Sequence, residues 1–207
     1  MTLPPLHQST SEPAPAQAQV PALHTVQRRI RVFTDDPAAE LNQMAARLSR
    51  LNELGIRLEA SEVLDDIAVD MGERAGFLYA MVNAFGEEQT FLGLRNPPRA
   101  AGYPLVGRTM SRAHGYCPEV VQRRRGLPLP NVAASPRFQG NHVVDAIGIQ
   151  SYFGAPLLDA ATGLVLATVC IVDPEPRTLA DAARLQTVVR DGARAAAAEL
   201  KIKMPVP

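Results

Sequence analysis

An α+β fold, with helices packed on a central antiparallel sheet, is predicted by three features of this 207-residue chain. Amphipathic helical segments open and close its ordered part. Between them lie two pairs of strand-like segments, each joined across a turn. The resulting order of helix, helix, strands, crossover helices, strands, helix suits an antiparallel sheet better than alternating βα units.

Residues 1–30, rich in Pro, Ala, Gln, Ser and Thr, bury too little apolar surface to offset their ordering entropy and read as a disordered leader. The first helix starts at Asp36 as N-cap with Pro37 in its first position and ends near Gly55. Its Leu41, Met44, Leu48 and Leu51 recur at spacings of 3, 4 and 3, a stripe suited to packing on another helix. The second helix follows Ser61, with Leu64, Ile67, Ala68 and Met71 on one face.

Gly76 to Phe85 reads as a strand covered on both faces, and the Gly86-Glu-Glu turn leads to a second strand over Gln89–Leu94. Asn96–Gly107, with Pro97, Pro98, Gly102 and Pro104, is long enough for a mobile flap. A short helix spans Pro118–Arg124, and Leu127–Val132 makes a brief strand that its two prolines confine to a sheet edge. Another short helix covers Asn141–Ile147. Two strongly apolar strands, Ser151–Leu158 and Leu164–Val172, form the expected centre of the sheet. The last helix begins at Thr178 and runs to about Leu200, leaving residues 201–207 as a tail.

Composition narrows the function. Lys plus Arg and Asp plus Glu both total 21, a balance that argues against a phosphate-backbone binder and so against a nucleic-acid partner. No apolar run reaches the roughly 18 residues of a membrane span, and the expected location is cytoplasmic. Two cysteines are too few for a disulfide framework and lack zinc-site spacing, so reduced thiols are the default. Cys117, ahead of Pro118 and a helix start, is placed where backbone N–H groups could activate a thiol. Cys170, mid-strand among Val169, Ile171 and Val172, reads as a small packed hydrophobe.

Three segments together carry a family likeness: Pro136-Arg-Phe-Gln-Gly-Asn, Ser151-Tyr-Phe-Gly-Ala-Pro-Leu and Ala167-Thr-Val-Cys-Ile-Val-Asp-Pro-Glu-Pro-Arg. They resemble the sequence core of GAF domains, over roughly residues 36–200. The resemblance implies a GAF/PAS-like sheet with the terminal helices (36–55 and 178–200) on one face. Short helices and loops would enclose a ligand pocket on the other. It also implies a sensor for a small molecule, acting through a homodimer or a signalling partner.

The expected pocket lining is Tyr79, Tyr116, Cys117, Phe138, His142, Asp145 and Tyr152. Tyr116 and His142 would supply hydrogen bonds, Phe138 and Tyr79 apolar walls, and Cys117 a redox or ligand contact. An enzyme similar to free methionine-R-sulfoxide reductases would need a cysteine in Gly140–Asp145, and none is there. A bilin attachment Cys-His pair, a cyclic-nucleotide signature and Walker or Gly-x-Gly-x-x-Gly loops are also missing. Haem or a mononuclear iron stays open because His114, Cys117, His142 and Asp145 border the expected pocket. The cofactor is otherwise unknown. The alternatives to a non-enzymatic sensor are a thiol redox enzyme or sensor centred on Cys117 and a dimerisation module without ligand.

Overall fold

The computed structural model of the chain describes residues 37–138 and 147–205. The leader, Asp36 and nearly all of the short helix expected over Asn141–Ile147 lie outside them. Helix α1 spans Pro37–Glu53 and α2 Glu62–Ala75. Ser61 caps α2 by accepting the Leu64 N–H, and Gly76 ends it at a φ of 69°, left-handed geometry that favours glycine. Because Gly76 closes a helix, the following strand β1 starts later than expected, at Tyr79, and runs to Phe85.

Strand β2 is Gln89–Arg95, and Glu87 and Glu88 lie exposed at the tip of the hairpin. A two-residue strand β3, Thr109–Met110, pairs with β2, and its brevity left no sequence signal. Helix α3 is Cys117–Arg123 and the edge strand β4 is Leu127–Leu129. Strands β5 (Ser151–Leu158) and β6 (Val165–Asp173) form the second hairpin, and α4 (Leu179–Glu199) follows, capped by Thr178.

The strand order is β3-β2-β1-β6-β5-β4, and every pair is antiparallel. The centre is therefore β1 and β6, one strand from each hairpin, and β5 lies next to the edge. Pairing one strand from each hairpin merges the two into a single sheet.

Side-chain alternation divides the buried residues into two layers. On the helix side, Ala80, Val82, Phe153, Ala155, Val169 and Ile171 meet Leu64 and Met71 of α2 and Leu185, Val189 and Ala193 of α4. On the other side, Tyr79, Met81, Tyr152, Cys170 and Val172 meet α3 and the turns that follow it. Tyr152 and Phe153 thus point to opposite faces, as a period of two requires.

The α1 stripe is split. Leu51 is buried in the helix-side core, Met44 and Leu48 are half-buried, and Leu41 is exposed. Arg47 is buried and donates from Nε to Val165 O at 2.9 Å, which ties α1 to its own sheet. The Asn96–Gly107 segment is held at both ends by the Asn96 side chain, which donates to Val106 O and accepts Val106 N–H, each at 2.9 Å.

The motif from Val172 to Arg177 is a junction. Asp173 accepts N–H groups from Leu78 at 2.9 Å and Glu175 at 3.0 Å, and pairs with Arg177. Arg177 stacks on Phe77 at 4.6 Å and donates to Gly76 O. One carboxylate therefore joins the end of β6, the start of β1 and the approach to α4.

Candidate functional site

The layer opposite the long helices brings five of the expected lining residues together: Tyr79, Tyr116, Cys117, Phe138 and Tyr152, all buried in one cluster. His142 and Asp145 lie outside the described residues. Among the described residues, no three His, Cys, Asp or Glu side chains converge as metal donors.

The tyrosine hydroxyls are engaged within the protein. Tyr79 donates to Pro104 O at 2.8 Å and Tyr116 to Phe138 O at 3.0 Å. The Tyr116 ring makes edge contacts with Phe138 and Tyr152, at centroid separations of 5.8 and 5.2 Å. Arg137 pairs with the buried Glu119 of α3 at 2.8 Å, which anchors the Pro136-Arg-Phe turn against that helix. Tyr116, rather than Cys117, occupies the α3 N-cap position, and it makes no side-chain capping bond.

Cys117 heads α3 with its sulfur turned into the cluster. Cys170 Sγ lies 3.6 Å away, and the Tyr152 hydroxyl donates to Cys117 at 3.3 Å. Met81 Sδ is 3.7 Å from Cys170 Sγ, consistent with Met81 and Cys170 being register partners on β1 and β6. The next same-face pair along the ladder is Asn83 and Thr168. Asn83 donates to Gln89 Oε1 at 2.7 Å, and Gln89 in turn donates to Ser111 O and His114 O, which positions the loop entering α3.

Cys170, Met81, Asn83 and Thr168 were not expected at this site. Cys170 is indeed packed among apolar neighbours, but it also faces Cys117 across 53 residues of sequence, a juxtaposition created by the strand order.

The two thiols have unequal tendencies to ionise. The Cys117 thiol is lowered to about 6, chiefly by its hydrogen bond with Cys170. Burial opposes this, and Thr168, Tyr152 and Asn83 side chains add to it. Cys170 is pushed well above the ordinary thiol range by the same hydrogen bond and by burial. Charge therefore localises on Cys117, where the polar side chains are. Tyr152 is held well above the usual phenol range, first by burial and then by the neighbouring sulfurs, so it stays a donor.

Cys117 contributes stability above the ordinary thiol range, near pH 8.5, and this is lost as pH falls through about 6. Alkylation of Cys117 in the folded protein is expected to be half-maximal near pH 6, and Tyr152→Phe is expected to move that midpoint upward. A rate profile with iodoacetamide, read by mass spectrometry, checks both; a wild-type midpoint of 8.5 or above contradicts the assignment.

Tyr152 reaches Cys117 by lying along its own strand over Gly154. A Cβ on Gly154 would come within 2.7 Å of the ring carbon bearing the hydroxyl and closer to the oxygen itself. A separate cleft between the α1–α2 loop and the end of α4, lined in part by Ile56, Ser61, Leu92 and Leu200, shares none of these groups.

The sheet order, the helical layer and the loop-covered opposite face define the GAF class of ligand-binding fold. The GAF domain family matches over residues 59–199, more than half of the sequence. The chain belongs to the GAF domain family, whose members typically serve as small-molecule-binding sensor or regulatory domains.

Among solved structures, the chromophore-binding domain of an unusual bacteriophytochrome from R. palustris is similar, with a TM-score of 0.53 and 7% identity, over 82% of this chain and 62% of that one. A far-red cyanobacteriochrome photoreceptor has a TM-score of 0.50 and 10% identity, over 79% and 97% of the two chains. Free methionine-R-sulfoxide reductase from Neisseria meningitidis has a TM-score of 0.46 and 14% identity, over 81% and 96%. For the first two, at such identities, the shared property is the fold. No curated protein matches the chain. No helix among the described residues is long and apolar enough to cross a membrane.

Proposed function

We propose that this GAF domain is a non-enzymatic sensor that binds a small polar molecule beside Asn83 and Thr168 and passes occupancy to a partner protein or across a homodimer. One observation carries the reading. Asn83 Oδ1 and Thr168 Oγ1 are buried at the centre of the sheet and meet no partner at full hydrogen-bond geometry among the described residues. Both side chains favour a negative Cys117 sulfur by hydrogen bonding toward it, Thr168 through its hydroxyl and Asn83 through its amide N–H, and Asn83 Oδ1 is left without a donor among the described residues.

A buried polar atom left without a partner costs roughly 1–3 kcal/mol, and a ligand that pairs it recovers that amount. A molecule with at least one hydrogen-bond donor for Asn83 and a polar atom for Thr168 suits the site, with Tyr79, Tyr116, Phe138 and Tyr152 as apolar surroundings. Binding would favour one arrangement of α3 and its flanking turns over others, and that shift would be the signal.

The test is a thermal-shift screen of small polar metabolites on the wild-type chain and on Thr168→Val, a change close in shape that removes the hydroxyl. A hit is expected to raise the wild-type melting temperature by several degrees. Thr168→Val is expected to melt at or above the unliganded wild type and to lose most of the response. A hit that stabilises both proteins equally, or a screen without hits, contradicts the reading. The assembly is checked by sedimentation: a homodimer is expected, since closed twofold pairs are the commonest oligomers and Leu41 leaves the α1 stripe 58% exposed at that residue.

A further inference from the structure

We propose that Cys117 and Cys170 form a reversible intramolecular disulfide on exposure to a hydroperoxide, making the loop-covered face of the sheet a dithiol redox site. The two sulfurs belong to different elements, the first turn of α3 and the middle of β6, and lie 3.6 Å apart. A disulfide requires about 2.05 Å, so closure needs a movement of roughly 1.5 Å, within reach of a seven-residue helix that shifts or a χ1 that rotates. The central strand β6 is the fixed side. The N-terminal turn of α3 is the side that moves.

The surroundings assign the roles. Tyr152 donates to Cys117, and the Asn83 and Thr168 side chains lie on the same face, so the polar groups gather around one sulfur. Cys170 instead contacts the Met81 thioether and apolar neighbours. Cys117 is thus the attacking sulfur and Cys170 the resolving one. Cys117 is 5% exposed with its sulfur in the buried cluster, which excludes a peptide disulfide such as oxidised glutathione and requires a small oxidant that enters as the α3 turn shifts.

In the first step the Cys117 thiolate attacks the terminal oxygen of the hydroperoxide. The O–O bond breaks, an alcohol or water leaves after taking a proton, and Cys117 becomes a sulfenic acid. In the second, the Cys170 sulfur attacks the Cys117 sulfur. The S–O bond breaks, water leaves, and the Cys170 proton goes with it. Two thiols lose two electrons in total and the peroxide gains them. A small thiol reductant reverses the change by exchange at the bridge.

This inference shares residues with the proposed ligand site but does not depend on ligand binding, and its readout is separate. The full chain is treated with equimolar hydrogen peroxide at pH 7, denatured in acid, alkylated and weighed intact. The expected result is a mass loss of about 2 Da with both thiols blocked to alkylation, restored by dithiothreitol. A peptide containing both Cys117 and Cys170 should appear in an unreduced digest.

In Cys170→Ala the same treatment should leave a sulfenic or sulfinic adduct on Cys117, and in Cys117→Ala the rate of oxidation of Cys170 should fall at least tenfold. Retention of two alkylatable thiols in the wild type overturns the proposal. So does a bridge between two chains, or stable oxygen adducts on Cys117 while Cys170 stays free. The wild-type mass is decisive even if a variant fails to fold.

Discussion

Gly93→Ala is expected to destabilise the protein by about 3 kcal/mol or more, the upper part of the range for overpacking a filled interior. An added Cβ would lie 2.5 Å from the Leu64 carbonyl carbon and nearer still to its oxygen. These are backbone atoms in the first turn of α2 and cannot rotate away. The Ser61 N–H also donates to Leu92 O at 2.9 Å, so α2 is fastened to β2 beside the glycine and cannot lift without losing that bond. At roughly 2–4 °C per kcal/mol for a domain of this size, the melting temperature should fall by about 6–12 °C. Gly107→Ala is the control, because its added Cβ meets nothing within 4 Å. Equal melting temperatures for the two variants would show that α2 does not sit on β2 this closely.

Asp173→Ala is expected to cost about 3 kcal/mol, the lower end for breaking a buried charge pair from one side. It would remove the acceptor for the Leu78 and Glu175 N–H groups and strip Arg177 of its carboxylate. Asp173 is 3% exposed, so little water is at hand to replace what is lost. Asp173→Asn keeps one carbonyl oxygen and should recover part of the loss. Urea titrations of the three proteins give the comparison, and an Asp173→Ala midpoint equal to wild type would contradict a junction role. The effect should be on stability, since Asp173 turns toward the β6–β1 corner and not toward the thiols.

These two sites show why the elements were legible and their packing was not. Ser61 and Thr178 as caps, the apolar stripes of α2 and α4, and the turn residues between strands are local signals, read at spacings of a few residues. The GAF segments added the order of the whole. The start of β1 was misplaced because Gly76 serves equally well as a helix C-cap and as a strand residue, and only the fold decides between them. β5 was expected at the centre because its apolar run is as strong as that of β6. The prolines in and just after β4 rightly marked it as an edge strand, but nothing local said that β5 would be the strand it pairs with.

The candidate site was legible in proportion to how local its residues are. Tyr116, Cys117 and Phe138 lie close to recognisable motif segments, and Tyr79 and Tyr152 follow from strand alternation. Cys170 was read only through its apolar neighbours, which describe its burial correctly and say nothing of what lies across from it. Asn83 and Thr168 sit in runs of small and apolar residues, where a single polar side chain has no distinguishing period.

By itself the amino-acid sequence determined the α+β class, the caps and stripes of the helices, the apolar strands and membership of the GAF family, because these depend on periodicity and short motifs. The tertiary structure alone decided that β1 lies against β6, which puts Met81 beside Cys170 and Asn83 beside Thr168. It also decided that α3 lies over that ladder, which brings Cys117 to 3.6 Å from Cys170. Contacts between residues 53 or 89 positions apart depend on strand order and register, and neither is encoded in the local pattern of either partner.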